Sequence, residues 1–503
     1  MMNIAKLSKI DFLVLIVIVI IGLVHLPFPF DGDQAFFRLG ASEIQQGIVL
    51  YRDFWDLKQP GIFYFYLLAG SLFGFNEIGI HLFELIYMVF FSIILLLTLK
   101  DYFRHRIIAS LVPLFTVGVY YTISGAWHLT QVEGLIGFPI FLCLWLTYQS
   151  FKYEGKPRFF RILLSGFIGG LILLFKLVFL VILGSFWLTI LIDAIFIKRQ
   201  HISKVFVEIC LPIFIGIIFP ILIFISYFAW FDSLSILYET FFLYPPRIIT
   251  YFVLDKRKLV SGIKWFLQNF SPLILVGIIA VDVSMRKGKN LLTLLLFVWC
   301  IFGLGVISLQ RWSLWEYHYL LLFVPLGILA TKGLDVLWQP LTELSSRITI
   351  IILLLLFFSP LLYGFAKKGA ILVKHNFAIT EDARLKYQTV FRPIYSSLHS
   401  EVDIISQPGS LPGKIYVAGD PSIYYFSGRT QATSLHGWSL EYFLPEQWPK
   451  LIDQLDSSKP PYIYIDVPHE AIIKKSFPQM LEFVKQRYRI LRQNDNGIWY
   501  IIK

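Results

Sequence analysis

The sequence predicts a polytopic α-helical membrane protein with about eleven transmembrane helices and a small C-terminal α/β domain. Three observations carry this. Of 503 residues, 57% are hydrophobic and only 15% charged, where a soluble domain carries roughly 25% charged residues. With a mean hydropathy of +0.69, the chain must use lipid as its outer solvent. Runs of about 20 apolar residues recur, each long enough to cross the hydrocarbon core. After residue 366 the composition turns to that of an ordinary soluble domain.

Taken in order, the predicted spans lie near 11–29, 78–99, 107–124, 134–150, 162–175, 177–196, 205–228, 265–283, 291–309, 319–335 and 348–365. The N-terminus begins like a signal peptide. Its apolar run is too long for one and no small-residue cleavage site follows, so it reads as a retained first span. The fifth and sixth runs are short: 14 helical residues reach only about 21 Å at 1.5 Å each. They read as helices that stop at a cavity inside the membrane.

Lysine and arginine set the orientation. Lys6 and Lys9 precede span 1; Lys100, Arg104 and Arg106 follow span 2; Lys152, Lys156, Arg158 and Arg161 follow span 4; Lys198, Arg199 and Lys204 follow span 6; Arg286, Lys287 and Lys289 follow span 8. All fall on one side, which the positive-inside rule makes cytoplasmic, along with the N-terminus. The connector 336–347 fits least well, because Asp335 and Glu343 offset Lys332 and Arg347.

The outer side then receives loops 30–77, 125–133, the turn at Lys176, 229–264, 310–318 and everything after 366. In loop 30–77, "FRLGASEIQQGIVLYRDFWDL" reads as an amphipathic helix on the membrane surface. In loop 229–264, the Pro-Pro pair of "LYPPRIITYF" reads as a helix breaker. The C-terminal segment offers strands at 414–419, 462–467 and 497–503, rich in β-branched and aromatic residues. Helices at 380–399, 440–455 and 469–487 complete an alternating α/β pattern.

Several function classes drop out. The net charge of +11 comes from short clusters between apolar runs, so it orients a membrane protein and does not mark a nucleic-acid surface. Cys143, Cys210 and Cys300 all lie inside apolar runs, leaving no disulfide framework and no CxxC metal site. There is no GxxxxGKS/T, no HExxH and no GxSxG. The paired, broken segments of inverted-repeat transporters are missing too.

The outer-side polar residues concentrate near span ends: Asp31 and Asp33, Lys58, His128, Glu133, Lys176, and Arg311, Glu316 and His318. Each has a plain structural explanation. Asp31 ends or caps span 1; Lys58 snorkels at the interface; Glu133 favours the N-terminal dipole of its helix; Lys176 is a turn residue; His318 is an interfacial histidine. One outer-facing cavity would instead give them a common role, since ionisable groups at membrane depth face a cavity or a partner. Two lysines, an arginine and a histidine match a phosphate at the interface. A carboxylate beside them can act as general base. Acid plus phosphate clamp at a lipid surface suggests transfer from a lipid phosphate.

These residues resemble the C-type membrane glycosyltransferases, specifically glycosyltransferase family 39, which includes protein O-mannosyltransferases and the aminoarabinose transferase of lipid A. The resemblance covers roughly residues 10–365 and is best over 29–90. "DQAFF" resembles the family's D-E-A-x-Y after span 1, which places the catalytic aspartate at Asp33 and leaves Asp31 as a supporting, boundary residue. "DLKQPGIFYFY" resembles K-P-P-L-x-Y-W and places a phosphate-binding lysine at Lys58. "TQVEGLIGF" resembles T-E-P-L-F and places a second acidic residue at Glu133. "GFIGGLILLFK" resembles G-L-x-x-L-T-K and places a second lysine at Lys176. "HYLLLFVP" resembles H-Y-F-L-x-L-x-P and places His318 and Tyr319. "GKIYVAGDPSIYYFSGR" looks like the outer C-terminal domain of some bacterial members. Gln34 departs from the family's Glu and Gln59 from the first Pro of K-P-P.

The resemblance implies a GT-C fold: a transmembrane glycosyltransferase core over 1–365, with outer loop 30–77, and a periplasmic or extracytoplasmic α/β domain over 366–503. It implies a multi-pass protein of the plasma (inner) membrane and a polyprenyl-phosphate sugar as donor. Asp33 would deprotonate an acceptor hydroxyl for a single, inverting displacement. Lys58 and Lys176, with Arg311 or His318, would stabilise the departing phosphate; Glu133 would orient the acceptor or hold a lysine. A divalent metal is compatible with this chemistry but not required, and no other cofactor is implied. The acceptor stays open among glycolipid, envelope glycan and protein hydroxyl. The rival reading is a transporter or flippase of lipid-linked sugar; a third is a receptor-like scaffold.

Overall fold

The computed structural model describes residues 7–251, 256–288, 290–310, 315–338 and 344–503. Helices run through each of the apolar segments predicted as spans. Among the described residues, seven helices are long and apolar enough to cross a membrane: Glu77–Tyr102, Val132–Ser150, Leu177–Ile197, Ile202–Trp230, Lys256–Arg286, Leu291–Leu309 and Glu316–Trp338.

The chain divides into two compact units. The first comprises Met1–Leu26, His81–Phe224 and Leu254–Lys374 and holds most of the apolar helices. Its helices approach closely where glycine allows. Gly166 and Gly170 on Lys156–Leu173 lie against the backbone of Leu211–Trp230, and Gly216 returns the contact. This is the small-residue packing expected where lipid gives no hydrophobic drive between helices. Gly333 lies likewise against the carbonyl of Val276.

The fifth span, expected over 162–175 as a short helix or as half of one bent hairpin with the sixth, starts earlier, while the sixth keeps its expected bounds within a residue. Lys156–Leu173 begins among the basic residues that follow span 4 and has 18 residues, about 27 Å of helix, while Leu177–Ile197 has 21. Hydropathy missed the first turns because Lys156, Arg158 and Arg161 belong to the helix. Asp335 also proves to be more than an offsetting charge. Buried, it accepts from the backbone N–H of Arg104 and of His105, each at 3.0 Å, and from Lys332 at 2.8 Å. Within the connector 336–347, residues 339–343 lie outside the described residues.

The second unit comprises Pro27–Ile80, Ile225–Val253 and His375–Lys503. Its sheet has four strands, β1 (Tyr416–Ala418), β2 (Tyr462–Asp466), β3 (Tyr488–Gln493) and β4 (Gly497–Ile502), in the order β1-β2-β4-β3. β1 and β2 are parallel and the other pairs antiparallel. Tyr416, Ile463, Ile465 and Tyr500 pack with Leu451, Leu455, Met480 and Val484 of the covering helices, and Trp55, Tyr244 and Ile248 join the same core.

Five local expectations change here. β3 escaped prediction because all of it but Tyr488 is exposed and Arg489 and Arg492 interrupt its apolar residues. The helix expected over 380–399 divides into Glu381–Phe391 and Ile394–Ser406. Pro393 forces Arg392 out of the helical region, to φ −144° and ψ 87°, and Pro478 divides 469–487 in the same way at Phe477. The Pro-Pro pair does not break its helix: Leu234–Tyr238 continues through the π-helical turn Glu239–Leu243 into Tyr244–Tyr251, and a π turn is one way a helix absorbs a local break in its hydrogen-bond ladder. The surface helix expected from residue 37 to 57 is helical only to Gln45, within Gly32–Gln45, and Gly47 then turns the chain with φ +94°.

Candidate functional site

The described residues hold two ionic groups, one in each unit, that together contain most of the residues singled out from sequence. The group in the second unit begins at the helix Gly32–Gln45. Asp31 is its N-cap residue, extended at φ −84° and ψ 171°. Its N–H donates to Gln34 Oε1 at 2.8 Å, so Gln34 closes a capping box. A glutamine serves this as well as a glutamate and adds no third charge beside two aspartates. Asp33 sits in the first turn, where the helix dipole favours a carboxylate.

Asp33 Oδ1 accepts two donors: Lys58 Nζ at 3.3 Å and Trp438 Nε1 at 3.0 Å. Lys58 lies in the turn before the helix Gly61–Phe73, with its carbonyl held by the Tyr51 hydroxyl at 2.8 Å. Its ammonium stands 5.0 Å above the Phe37 ring and 3.9 Å from Asp56 Oδ2. Burial alone would pull the lysine down, but the two carboxylates outweigh it and hold its pKa above the usual lysine value. Asp56 is buried, which pushes its carboxyl up, while Lys58 pulls it back down. His436 Nε2 lies 3.9 Å from Asp56 Oδ1; burial pushes its imidazole down to about 3, so it is neutral at pH 7.

Asp31 faces the other way. Arg392, freed by the helix break at Pro393, brings Nε to 3.6 Å from Asp31 Oδ1, donates to the Phe30 carbonyl at 2.7 Å and pairs with Asp420. Burial pushes the Asp31 carboxyl up to about 6, against the pull of Arg392. Asp31 therefore does cap a helix, but the one that starts after span 1.

In the first unit, Glu133 lies in the first turn of Val132–Leu135. Lys176 follows the end of Lys156–Leu173 in extended backbone, φ −160° and ψ 125°. Its ammonium donates to Glu133 Oε1 at 2.5 Å and Gln310 Oε1 at 2.9 Å. His318 Nε2 lies 3.7 Å from the same Glu133 oxygen. Tyr319 stacks instead on Phe266, with centroids 5.0 Å apart. His128 stacks on Trp265 at 4.8 Å, and Glu316 accepts from Ser261 at 3.2 Å. Arg311 lies outside the described residues.

Sequence reasoning missed Asp56, Arg392, His436 and Trp438, and also Glu84. Glu84 is buried, accepts from the Tyr120 hydroxyl, and accepts from Thr130 N at 2.8 Å. It thereby fixes the loop that feeds Glu133. A lone acid in the apolar run 78–99 was the signal available for it. Among the described residues no group of three or more His, Cys, Asp or Glu is arranged to hold a metal ion.

No protein-family profile matches the sequence, and no curated protein matches it. Solved structures do. ArnT from Cupriavidus metallidurans bound to undecaprenyl phosphate superposes with a TM-score of 0.62 at 11% identity, covering 97% of both chains. The apo state of the same protein gives 0.59 at 11% identity over the same shares. The fold is that of ArnT. At 11% identity the likeness to ArnT establishes architecture, and that architecture is the GT-C fold expected from the sequence. The ArnT likeness extends past residue 365, where the sequence resemblance thinned, since 97% of the chain is covered.

Proposed function

We propose that this protein is an inverting glycosyltransferase that moves a sugar from a polyprenyl-phosphate donor to an acceptor hydroxyl at the outer face of the plasma membrane. The carrying observation is Asp33, held at a helix N-terminus by Lys58 and Trp438, in a chain with the fold of ArnT. That ArnT has been solved with undecaprenyl phosphate bound supports a polyprenyl carrier.

In this reading Asp33 takes the proton of the acceptor hydroxyl. The oxygen attacks the anomeric carbon opposite the phosphate. The bond from that carbon to the phosphate oxygen breaks, its electron pair leaves with the polyprenyl phosphate, and the configuration inverts. Lys58 is close enough to Asp33 to serve base and leaving group in turn. Lys176, Arg311 and His318 are assigned to the donor phosphate, whose departure needs positive charge more than a proton. Glu133 anchors Lys176 through their 2.5 Å ion pair. The N-terminus is assigned to the cytoplasm and the sheet-bearing segment after residue 375 to the outer side.

The test is purified protein in nanodiscs, supplied with polyprenyl-phosphate sugars and envelope glycolipid, glycan and protein acceptors. Release of polyprenyl phosphate with a new glycosidic bond is expected, and Asp33→Asn should slow it by about 10³-fold. Movement of the lipid-linked sugar across the bilayer with no such release would make the protein a flippase. Mass spectrometry of envelope glycans from a deletion strain identifies the acceptor class.

A further inference from the structure

Trp438 comes from the segment after the helix Ser422–Ser427, which itself follows β1, far in sequence from the helix it meets, and nothing in the proposed chemistry requires it. Three features fix its place. Gly437 lies so close to β1 that a Cβ there would run into the Val417 carbonyl. Gly419 N donates to the Gly437 carbonyl at 3.2 Å. Ser439, next in line, adopts φ +62°, a left-handed backbone that non-glycine residues enter only when their surroundings require it. The loop is thus held on both sides of the indole, and His469, bonded to Asp466 at 2.7 Å, packs beside it at 6.0 Å.

The indole meets the helix start in two ways. Its six-membered ring fills the space where a Cβ on Gly32 would stand. Gly32 has no positive φ to explain a glycine at this site, so the absent side chain answers the close approach of the ring. The Nε1–H donates to Asp33 Oδ1 at 3.0 Å, the oxygen that also receives Lys58. An indole N–H only donates. It cannot take up the proton Asp33 is meant to accept, and it stabilises the ionised carboxylate without competing for it.

The geometry points to Trp438 as a positioning residue for Asp33: it fixes the carboxylate's rotamer and keeps it ionised, so the C-terminal α/β segment supplies part of the reaction machinery. This rests on the reading of Asp33 as the base. Trp438→Phe keeps a ring against Gly32 and deletes the donor. Loss of a hydrogen bond to a charged group should lower kcat about tenfold with the donor KM little changed. It should also move the acid limb of the pH–rate profile up by about one pH unit. Gly32→Ala displaces the indole while leaving it in the chain, and should move the limb the same way; alanine is a good residue in a helical first turn.

A readout free of turnover separates the two readings. In 5-fluorotryptophan-labelled protein, the 19F resonance lost in Trp438→Phe should titrate with pH in the wild type and stop titrating in Asp33→Asn. If Asp33→Asn abolishes transfer but Trp438→Phe keeps the wild-type kcat and limb, the inference is overturned and the enzyme reading stands. If no transfer occurs but the 19F titration depends on Asp33, the coupling stands and the enzyme reading falls. A resonance indifferent to Asp33 overturns the coupling itself.

Discussion

Lys58 stands between two carboxylates, Asp33 at 3.3 Å and Asp56 at 3.9 Å. In the other group the carboxylate stands in the middle: Glu133 has Lys176 at 2.5 Å and His318 at 3.7 Å. Accessibility divides them further. Asp33 is 18% exposed and Glu133 1%. A base must be reached by the hydroxyl it deprotonates, and a carboxylate sealed under a lysine is a counter-charge. The contrast therefore favours Asp33 over Glu133 as base on physical grounds that owe nothing to family resemblance. It also suggests that the two lysines, alike in sequence reading, do different work.

The same substitution in both groups sharpens this. Lys176→Ala leaves Glu133 buried beside the His318 imidazole, 3.7 Å away. Stranding a buried charge should destabilise the protein by roughly 3 kcal/mol, seen as a lower thermal midpoint in detergent. Lys176→Met with Glu133→Gln removes both charges and should recover most of that loss. An unshifted midpoint in Lys176→Ala would mean that Glu133 needs no counter-charge. Lys58→Ala is the contrasting case. Asp33 keeps the Trp438 donor, Asp56 keeps the Leu57 N–H on Oδ1 and is already pushed by burial towards its neutral form, and Lys58 is 30% exposed, so the stability change should be smaller than that of Lys176→Ala. Turnover should fall about 10²-fold. Equal destabilisation by the two lysine substitutions would erase the distinction.

Much of this was legible in the sequence, for reasons that also mark its limits. Apolar runs betray membrane helices because lipid allows no unpaired backbone polar groups, and an aspartate just past such a run stands out. Asp33, Lys58, Glu133 and Lys176 stand out as candidates that way, and the choice of Asp33 over Asp31 rests on the family resemblance. Their pairing was not legible, because Glu133 and Lys176 meet only through the tertiary fold. Trp438, His436 and Arg392 were invisible for a different reason. In a segment of soluble composition a tryptophan, a histidine and an arginine look like ordinary core and surface. Only the tight loop at Gly437 and the helix break at Pro393 aim them at the start of the Asp33 helix. The glycine of "DGD" was a trace of this in the sequence, readable only once its neighbour is known.

Asp31 offers the smallest effect and the finest test of its separation from Asp33. Its carboxyl is pushed up to about 6 from an ordinary 3.8, burial being the larger cause and Arg392 the opposing one. Between those values the folded protein holds a proton that the unfolded chain has released. Stability must therefore fall as pH rises from about 4 to about 6, and level off above. Asp31→Asn removes this contribution, so the difference in thermal midpoint between pH 4 and pH 6.5 should change towards greater relative stability at pH 6.5. The change should be modest, since the Asp31 side chain is 32% exposed and water screens it. Because Asp31 acts on the helix cap while Asp33 meets the donors Lys58 and Trp438, Asp31→Asn should keep kcat within about threefold of wild type. A loss approaching that of Asp33→Asn would show that the two carboxylates share the proton, and the catalytic role would belong to the pair.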